Sequence, residues 1–237
     1  MFKYLFDTLI YETQTNSQKL SKMLEKPDQN YQGERCCPGE IVYPCYKPNK
    51  KSIPINLNQF KELDTYASKE VNVRDSVENL VKVLVQKAPT DLKKVRAIWM
   101  WICHHIEYDV EWLRGNTKTS LDPEGILKSG KTICAGYAKL FETMCCIAGI
   151  RCERLTGIAK GKGSGFKNDK RHAWNAVYLD GKWHLLDCTW GSGYVNGDKF
   201  TFRHKEFYFL TQPDLFAENH SPDDPKWQLL DPAPATI

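Results

Sequence analysis

Cys134 is the residue whose position best suits a nucleophile that attacks a carbonyl carbon. It is one of nine cysteines, and it opens a predicted helix directly after the turn-like run SGKTI. The free N–H groups and the positive dipole end of a helix start favour the thiolate form. Cys145 falls on the apolar face of the same helix and is expected to be an inert buried thiol, and Cys103 lies late in its own helix. A small residue that only caps the helix is the alternative interpretation of Cys134.

His172 and Asp187 are predicted to share one face of a β-hairpin. The dipeptide Asp180-Gly181 separates two apolar runs and favours a two-residue type I′ turn. That turn makes His172 and Asp187 diagonal neighbours, about 7–8 Å apart at the backbone and within reach of their side chains. His184 falls on the opposite face, because side chains alternate along a strand. The interpretation without chemistry is a half-buried His–Asp pair that only stabilises the hairpin.

A thiol, an imidazole and a carboxylate are together the groups of a cysteine acyl-transfer triad. In this interpretation His172 keeps Cys134 as a thiolate and Asp187 orients the imidazole ring. The sulfur attacks an amide carbonyl, and the backbone N–H groups beside Cys134 bind the developing oxyanion. Gly136 is expected to leave room for the substrate backbone. Such chemistry requires no metal ion or other cofactor.

The sequence does not determine two features of the reaction. Trp99, Trp101 and Tyr108 are side-chain donors that could complete the oxyanion site, and the sequence does not choose among them. The acceptor of the acyl group is also open. Water would make the protein a peptidase or deamidase, and a lysine amine would make it a crosslinking transglutaminase.

The elements that position these residues are helices first and strands afterwards, which indicates an α+β fold with an antiparallel sheet. Apolar periodicity and capping residues predict helices and alternation predicts strands. The predicted helices cover residues 75–88, 90–106, a short stretch from 122–123 and 134–148. The predicted strands cover residues 152–159, 172–179, 182–190 and 206–211.

Residues 1–58 are predicted to form an N-terminal helix followed by an irregular arm, and residues 59–237 the main domain. The arm is rich in proline, which breaks regular structure repeatedly. It holds Cys36, Cys37 and Cys45, whose C-C-x7-C spacing does not match the C-x2-C pairs of common zinc sites. We therefore expect no metal site there.

The composition excludes several functional classes. A formal charge of +4 over 237 residues, with 41% hydrophobic and 12% aromatic residues, is typical of a globular protein. The charge is not concentrated as in proteins that bind nucleic acid. The N-terminus lacks the pattern of a secretion signal, and no apolar run reaches the length of a membrane span. We expect an intracellular protein with mostly free thiols.

Three motifs resemble the transglutaminase-like core, and within it the kyphoscoliosis peptidase and hillarin branch. They are SGKTICAGYAKLFETMCCIAGI, RHAWNAVYLDGKWHLLDCTWG and FYFLTQPDLF, in that order. The resemblance covers about residues 75–230. It implies a papain-like fold in which Cys134, at a helix N-terminus packed against the sheet, is the nucleophile, His172 is the base and Asp187 orients it.

The function implied by this resemblance is that of a cysteine peptidase. It would act on amide bonds of protein substrates, cytoskeletal or muscle proteins among them, in the cytoplasm. A protein-glutamine transglutaminase or deamidase is one alternative, and a non-catalytic cytoskeletal interaction module is another. The calcium loops of animal tissue transglutaminases are not recognisable, and no nucleic-acid partner or transmembrane segment is expected.

Overall fold

The longest helices precede the strands of the main sheet along the chain. The computed structural model describes residues 56–116, 118–160 and 170–230. Nearly all of the predicted N-terminal arm, including Cys36, Cys37 and Cys45, lies outside these ranges. The helices are α1 (Lys61–Thr65), α2 (Val77–Val85), α3 (Asp91–His105), α4 (Val110–Leu113), α5 (Pro123–Ser129), α6 (Cys134–Ile147), α7 (Cys188–Ser192) and α8 (Pro213–Ala217). Short 3-10 or π turns occupy Leu57–Phe60, Tyr66–Glu70, Glu206–Tyr208 and Pro225–Gln228.

A four-stranded antiparallel sheet with the order β5-β4-β3-β8 follows the helices, which confirms the α+β class. Two smaller pairs flank it: β1 and β2 are parallel, and β6 and β7 form a hairpin. The strands are β1 (Glu107–Tyr108), β2 (Lys131–Thr132), β3 (Cys152–Ala159), β4 (Lys170–Leu179), β5 (Lys182–Leu186), β6 (Gly193–Asn196), β7 (Lys199–Phe202) and β8 (His220–Pro222).

Capping side chains fix where most of the longer helices begin. Ser76, Thr90 and Asp122 each accept a hydrogen bond from a backbone N–H in the first turn of α2, α3 and α5. The capping position of α6 is occupied by Ile133, whose apolar side chain has no acceptor to offer. No capping side chain therefore takes up the first N–H groups of α6, at the end of the helix where Cys134 lies.

The hairpin between β4 and β5 has the predicted turn and register. Asp180 and Gly181 both adopt positive φ angles, 49° and 80°, as a type I′ turn requires. Leu179 pairs with Lys182, and the remaining pairs follow in step. The face of the sheet that carries each side chain of the hairpin is set by this turn.

The structure corrects two strand predictions. The segment 182–190 is a strand only as far as Leu186, because the Asp187 side chain accepts the Trp190 N–H at 3.1 Å and begins α7. The segment 206–211 contains a 3-10 turn instead of a strand, and only Thr211 bridges to the sheet, opposite Leu185. Apolar and aromatic side chains typical of strands occur in both segments, but local capping and tertiary packing decide the backbone conformation.

Helix α6, whose first residue is Cys134, lies between the sheet and the other helices. Asn175 of β4 donates to the Ala138 carbonyl at 3.0 Å and joins sheet and helix. On the far side of α3, the buried Arg96 binds Asp64 at 2.7 Å and also pairs with Glu206. Among the helices in the described residues, none combines the length and apolar character needed to cross a bilayer.

Candidate active site

Cys134 is the first residue of α6, and its side chain is buried, with 1% of its surface exposed. It packs with Trp112, Ile133 and Ala135, and Tyr108 covers this group. Strand β2 ends just before it, so the parallel pairing of β1 with β2 fixes where the helix starts. The predicted position of this thiol, at a helix N-terminus, is the one observed.

Gly136 does not have the role expected from the sequence. A Cβ at this position would lie 1.9 Å from Oγ1 of Thr132, and that hydroxyl donates to the Ser120 carbonyl at 2.8 Å. The missing side chain makes room for Thr132, not for a substrate backbone. Gly136 thus lets the first turn of α6 pack directly on β2.

His172 and Asp187 are bonded to each other. Nε2 of His172 lies 2.8 Å from Oδ2 of Asp187, and the two side chains are 7% and 0% exposed. The His172 ring stacks on Trp190, with the ring centres 5.1 Å apart. The hairpin thus brings its imidazole and its carboxylate to one face, as the register predicts, while His184 makes no part of this contact.

The electrostatics of His172 link it to both predicted partners. Burial alone lowers its pKa, but the charge and hydrogen bond of Asp187, together with a hydrogen bond to Cys134, outweigh burial and raise the pKa to about 10. Because Nε2 faces Asp187, Nδ1 is the ring nitrogen left for the sulfur. The pKa of His172 thus depends on Asp187 first and on Cys134 in addition.

Asp187 stays ionised although it is fully buried. Burial acts to raise its pKa, but the charge of His172 and hydrogen bonds from His172 and His220 hold it well below its ordinary range. The two carboxylate oxygens of Asp187 have different hydrogen-bond partners. Oδ1 accepts the Trp190 N–H, and Oδ2 faces Nε2 of His172 at 2.8 Å and Nε2 of His220 at 3.1 Å.

Sequence reasoning missed His220. It lies in β8, and it reaches the site because β8 pairs with β3, with His220 opposite Ala159. The signal in the sequence is weak, since a three-residue strand has no readable alternation. Only the long-range pairing of two strands places this histidine beside the hairpin.

One potential metal-ligand atom from each of His172, Asp187 and His220 lies within 4.8 Å of the other two. Two imidazoles and a carboxylate at such spacing are chemically able to bind a metal ion. In the structure the carboxylate already accepts hydrogen bonds from both rings. An ion would have to displace both N–H protons from a buried site, so the three side chains form a hydrogen-bonded network.

Among the three side-chain donors left open by the sequence, only Tyr108 adjoins Cys134. Trp101 donates its indole N–H to the Val71 carbonyl at 3.0 Å, and Trp99 packs between Phe209 and His204. Burial and the charge of Cys134 raise the pKa of Tyr108 well above its ordinary value, against a hydrogen bond from the Cys134 backbone. Its hydroxyl is therefore protonated and close to the backbone N–H of Cys134.

Comparison with known proteins identifies the fold around this site. Residues 78–188 match the family model of the transglutaminase-like superfamily. Over 197 residues the chain is 50% identical to kyphoscoliosis peptidase of Homo sapiens, covering 81% of this chain and 30% of that protein. It is 30% identical to hillarin of Drosophila melanogaster over 194 residues, covering 73% of this chain and 23% of hillarin.

A solved structure described as a TGase also resembles the chain, with 21% identity and a TM-score of 0.40, over 63% of this chain and 41% of that one. The chain spans about a third or less of the length of the two curated relatives.

The charge of His172 predicts how stability depends on pH. A histidine in the unfolded chain releases its proton near pH 6.5, whereas folded His172 keeps it to about pH 10. Its stabilising contribution is therefore complete below pH 6.5 and is lost as the pH rises toward 10. Cys134→Ser has no thiol proton to exchange and keeps Asp187, the largest influence that raises the pKa of His172, but loses the smaller contribution of Cys134. It should therefore lose up to about 1.4 kcal/mol of unfolding free energy per pH unit from about pH 6.5 up to a folded pKa lower than that of the wild type.

Urea unfolding of Cys134→Ser and of Cys134→Ser/His172→Gln at pH 6, 7.5 and 9 measures this slope. The double variant lacks the retained proton and should show a flatter dependence. Parallel curves for the two proteins would contradict a raised pKa of His172.

Proposed function

Residues 78–188 of this chain belong to the transglutaminase-like superfamily, in the branch of kyphoscoliosis peptidase and hillarin, and we propose that the chain is a cysteine peptidase. Cys134 is the nucleophile, His172 the general base and acid, and Asp187 the orienting carboxylate. The observation that carries this proposal is the buried pair of His172 and Asp187, with Nε2 of the ring 2.8 Å from Oδ2 of the carboxylate. The hydrogen bond and charge of Cys134, which help to raise the pKa of His172, support its part in the same site. The catalytic domain is proposed to comprise residues 59–237.

The resting state is an ion pair between the Cys134 thiolate and the His172 imidazolium. The sulfur attacks the carbonyl carbon of an amide, forming the S–C bond and placing negative charge on the carbonyl oxygen. His172 then gives its proton to the leaving nitrogen as the C–N bond breaks, which leaves a thioester on Cys134. Water, deprotonated by His172, attacks the thioester, and release of the acid restores the thiolate and the imidazolium.

Two donors at the start of α6 are available for the negative oxygen. The backbone N–H of Cys134 belongs to the first turn of the helix, where helical carbonyl partners are lacking. The Tyr108 hydroxyl lies beside that N–H and keeps its proton at neutral pH. We assign both to the oxyanion site, where preorganised donors lower the barrier most.

Hydrolysis and transamidation share every step up to the thioester. The 50% identity to a protein named a peptidase supports water as the acceptor. We propose that the substrates are cytoskeletal or muscle proteins in the cytoplasm, as the branch suggests. The second candidate is a non-catalytic interaction module, for which the three side chains would serve only stability.

The first prediction from the proposed function concerns the reactivity of the Cys134 thiol. If Cys134 is held as a thiolate, iodoacetamide at pH 6 should alkylate it at least about tenfold faster than an ordinary thiol. The half-buried Cys146 is an internal reference, and mass spectrometry of peptides separates the cysteines. His172→Gln should remove the advantage of Cys134, and equal rates at Cys134 and Cys146 in the wild type would favour the interaction module.

The second prediction concerns the products. A muscle-cell proteome is incubated with wild-type protein and, as the matched control, with Cys134→Ala. We expect new protein termini that appear only with the wild type, because water resolves the thioester. New isopeptide links to lysine would identify a crosslinker instead, and the absence of both would contradict catalysis.

The third prediction concerns Tyr108. On a peptide from a cleaved substrate, Tyr108→Phe should lower kcat about 10²-fold with little change in KM, as expected for loss of one oxyanion donor. Alkylation by iodoacetamide involves no acyl oxyanion, so the rate at Cys134 should stay within about twofold of wild type if only that donor is lost. An unchanged or higher kcat would remove Tyr108 from the oxyanion site.

A further inference from the structure

His220 is a second histidine on the proposed catalytic carboxylate. Only 1% of its surface is exposed, and its Nε2 lies 3.1 Å from Oδ2 of Asp187, the oxygen that also faces His172. No step of the mechanism above uses it. A buried polar side chain aimed at a buried charge from a separate strand calls for a role beyond packing.

The surroundings of His220 keep it neutral. Its ring stacks on Phe216 with centres 4.0 Å apart and meets Trp190 and Trp174 at 4.7 and 4.9 Å. Burial among these rings lowers the pKa of His220, although Asp187 acts to raise it. At neutral pH the ring therefore has one N–H donor and one acceptor nitrogen.

The hydrogen-bond partners of His220 determine which ring nitrogen carries its proton. A carboxylate only accepts hydrogen bonds, so the N–H of His220 is on Nε2, where Asp187 lies. Nδ1 is then the acceptor, and Oδ1 of Asn219 faces it. Two acceptors cannot bond each other, so this tautomer requires the Asn219 amide turned by about 180°, with its nitrogen donating to Nδ1. The N–H of His220 is then fixed on the Asp187 side.

We propose that His220 is a positioning residue for the acyl-transfer reaction: as a neutral second donor to Oδ2, it holds Asp187 in the orientation that directs the His172 ring toward Cys134. The inference rests on the proposed function, because it assigns a role within the same site. A neutral donor suits this role, since it fixes the carboxylate without competing for the charge that His172 must carry. The Trp190 N–H fixes the other oxygen, so both oxygens of Asp187 are held in place.

The test replaces the donor and follows the reactivity of Cys134 in the whole chain. His220→Leu removes the N–H with similar bulk, whereas His220→Gln keeps an amide N–H near the position of Nε2. Alkylation of Cys134 by iodoacetamide is measured between pH 5 and 9. The titratable groups facing His220 are His172, Asp187 and Tyr208, and burial raises the pKa of Tyr208 to about 12, so Tyr208 does not titrate in this range.

We expect the rate of His220→Leu at pH 6 to fall about tenfold, the size of one lost hydrogen bond to a charged group. The lower inflection of its pH profile should move to higher pH, because a loosely held Asp187 supports the imidazolium less well. His220→Gln should recover the wild-type rate to within about threefold. A His220→Leu profile that superimposes on the wild type, or a His220→Gln protein as slow as His220→Leu, would overturn the inference.

Two controls separate the role of His220 from misfolding and from failure of the proposed function. If His220→Leu does not fold, His220→Asn takes its place, because the shorter amide cannot reach Asp187, and equal rates for the Asn and Gln variants would overturn the inference. The wild type and His172→Gln are measured first. A wild-type Cys134 no faster than Cys146 removes the proposed function itself, whereas a fast wild type with an unaffected His220→Leu removes only the role of His220.

Discussion

The buried charge of Asp187 is the constraint on which the rest of the site depends. A lone carboxylate without solvent contact would take up a proton, because its charge is poorly solvated there. Asp187 is 0% exposed, and yet its pKa is held well below the ordinary range. His172 of β4 and His220 of β8 lower the pKa, and the Trp190 N–H of α7 is a third donor to the carboxylate, so its hydrogen-bond partners come from three segments. The charge is therefore stable only when these segments are assembled, so fold and site form together.

Asp187 also determines the local backbone. By accepting the Trp190 N–H it ends β5 and begins α7, as a helix-capping aspartate does. The turn into α7 places Trp190 against the ring of His172 and sends Cys188 toward Cys103, away from the site. One side chain thus serves as the end of a strand, the start of a helix and the partner of the imidazole. Each of these contacts restrains the orientation of Asp187.

What the sequence could predict depended on short-range interactions. The Asp180-Gly181 turn determines the hairpin register, and from it the shared face of His172 and Asp187 follows without further information. Capping residues such as Thr90 likewise mark helix starts that the structure reproduces. His220 escaped prediction because its place depends on the pairing of β8 with β3, whose residues are far apart in the chain. The apolar run at residues 206–211 likewise could not show that Glu206–Tyr208 form a 3-10 turn and that Thr211 forms an isolated bridge to the sheet.

Two imidazoles on one carboxylate oxygen raise the question of which one carries the positive charge. Two buried cations facing one anion would leave an excess charge without compensation, so the rings cannot both be protonated at low cost. The remaining neighbours of each ring determine which of the two carries the charge. Asp187 and, after it, Cys134 raise the pKa of His172 to about 10, whereas His220 lies against Phe216 and indole rings and its pKa is lowered. The apolar lining of one histidine therefore helps to keep the charge on the other, where an acyl-transfer reaction would need it.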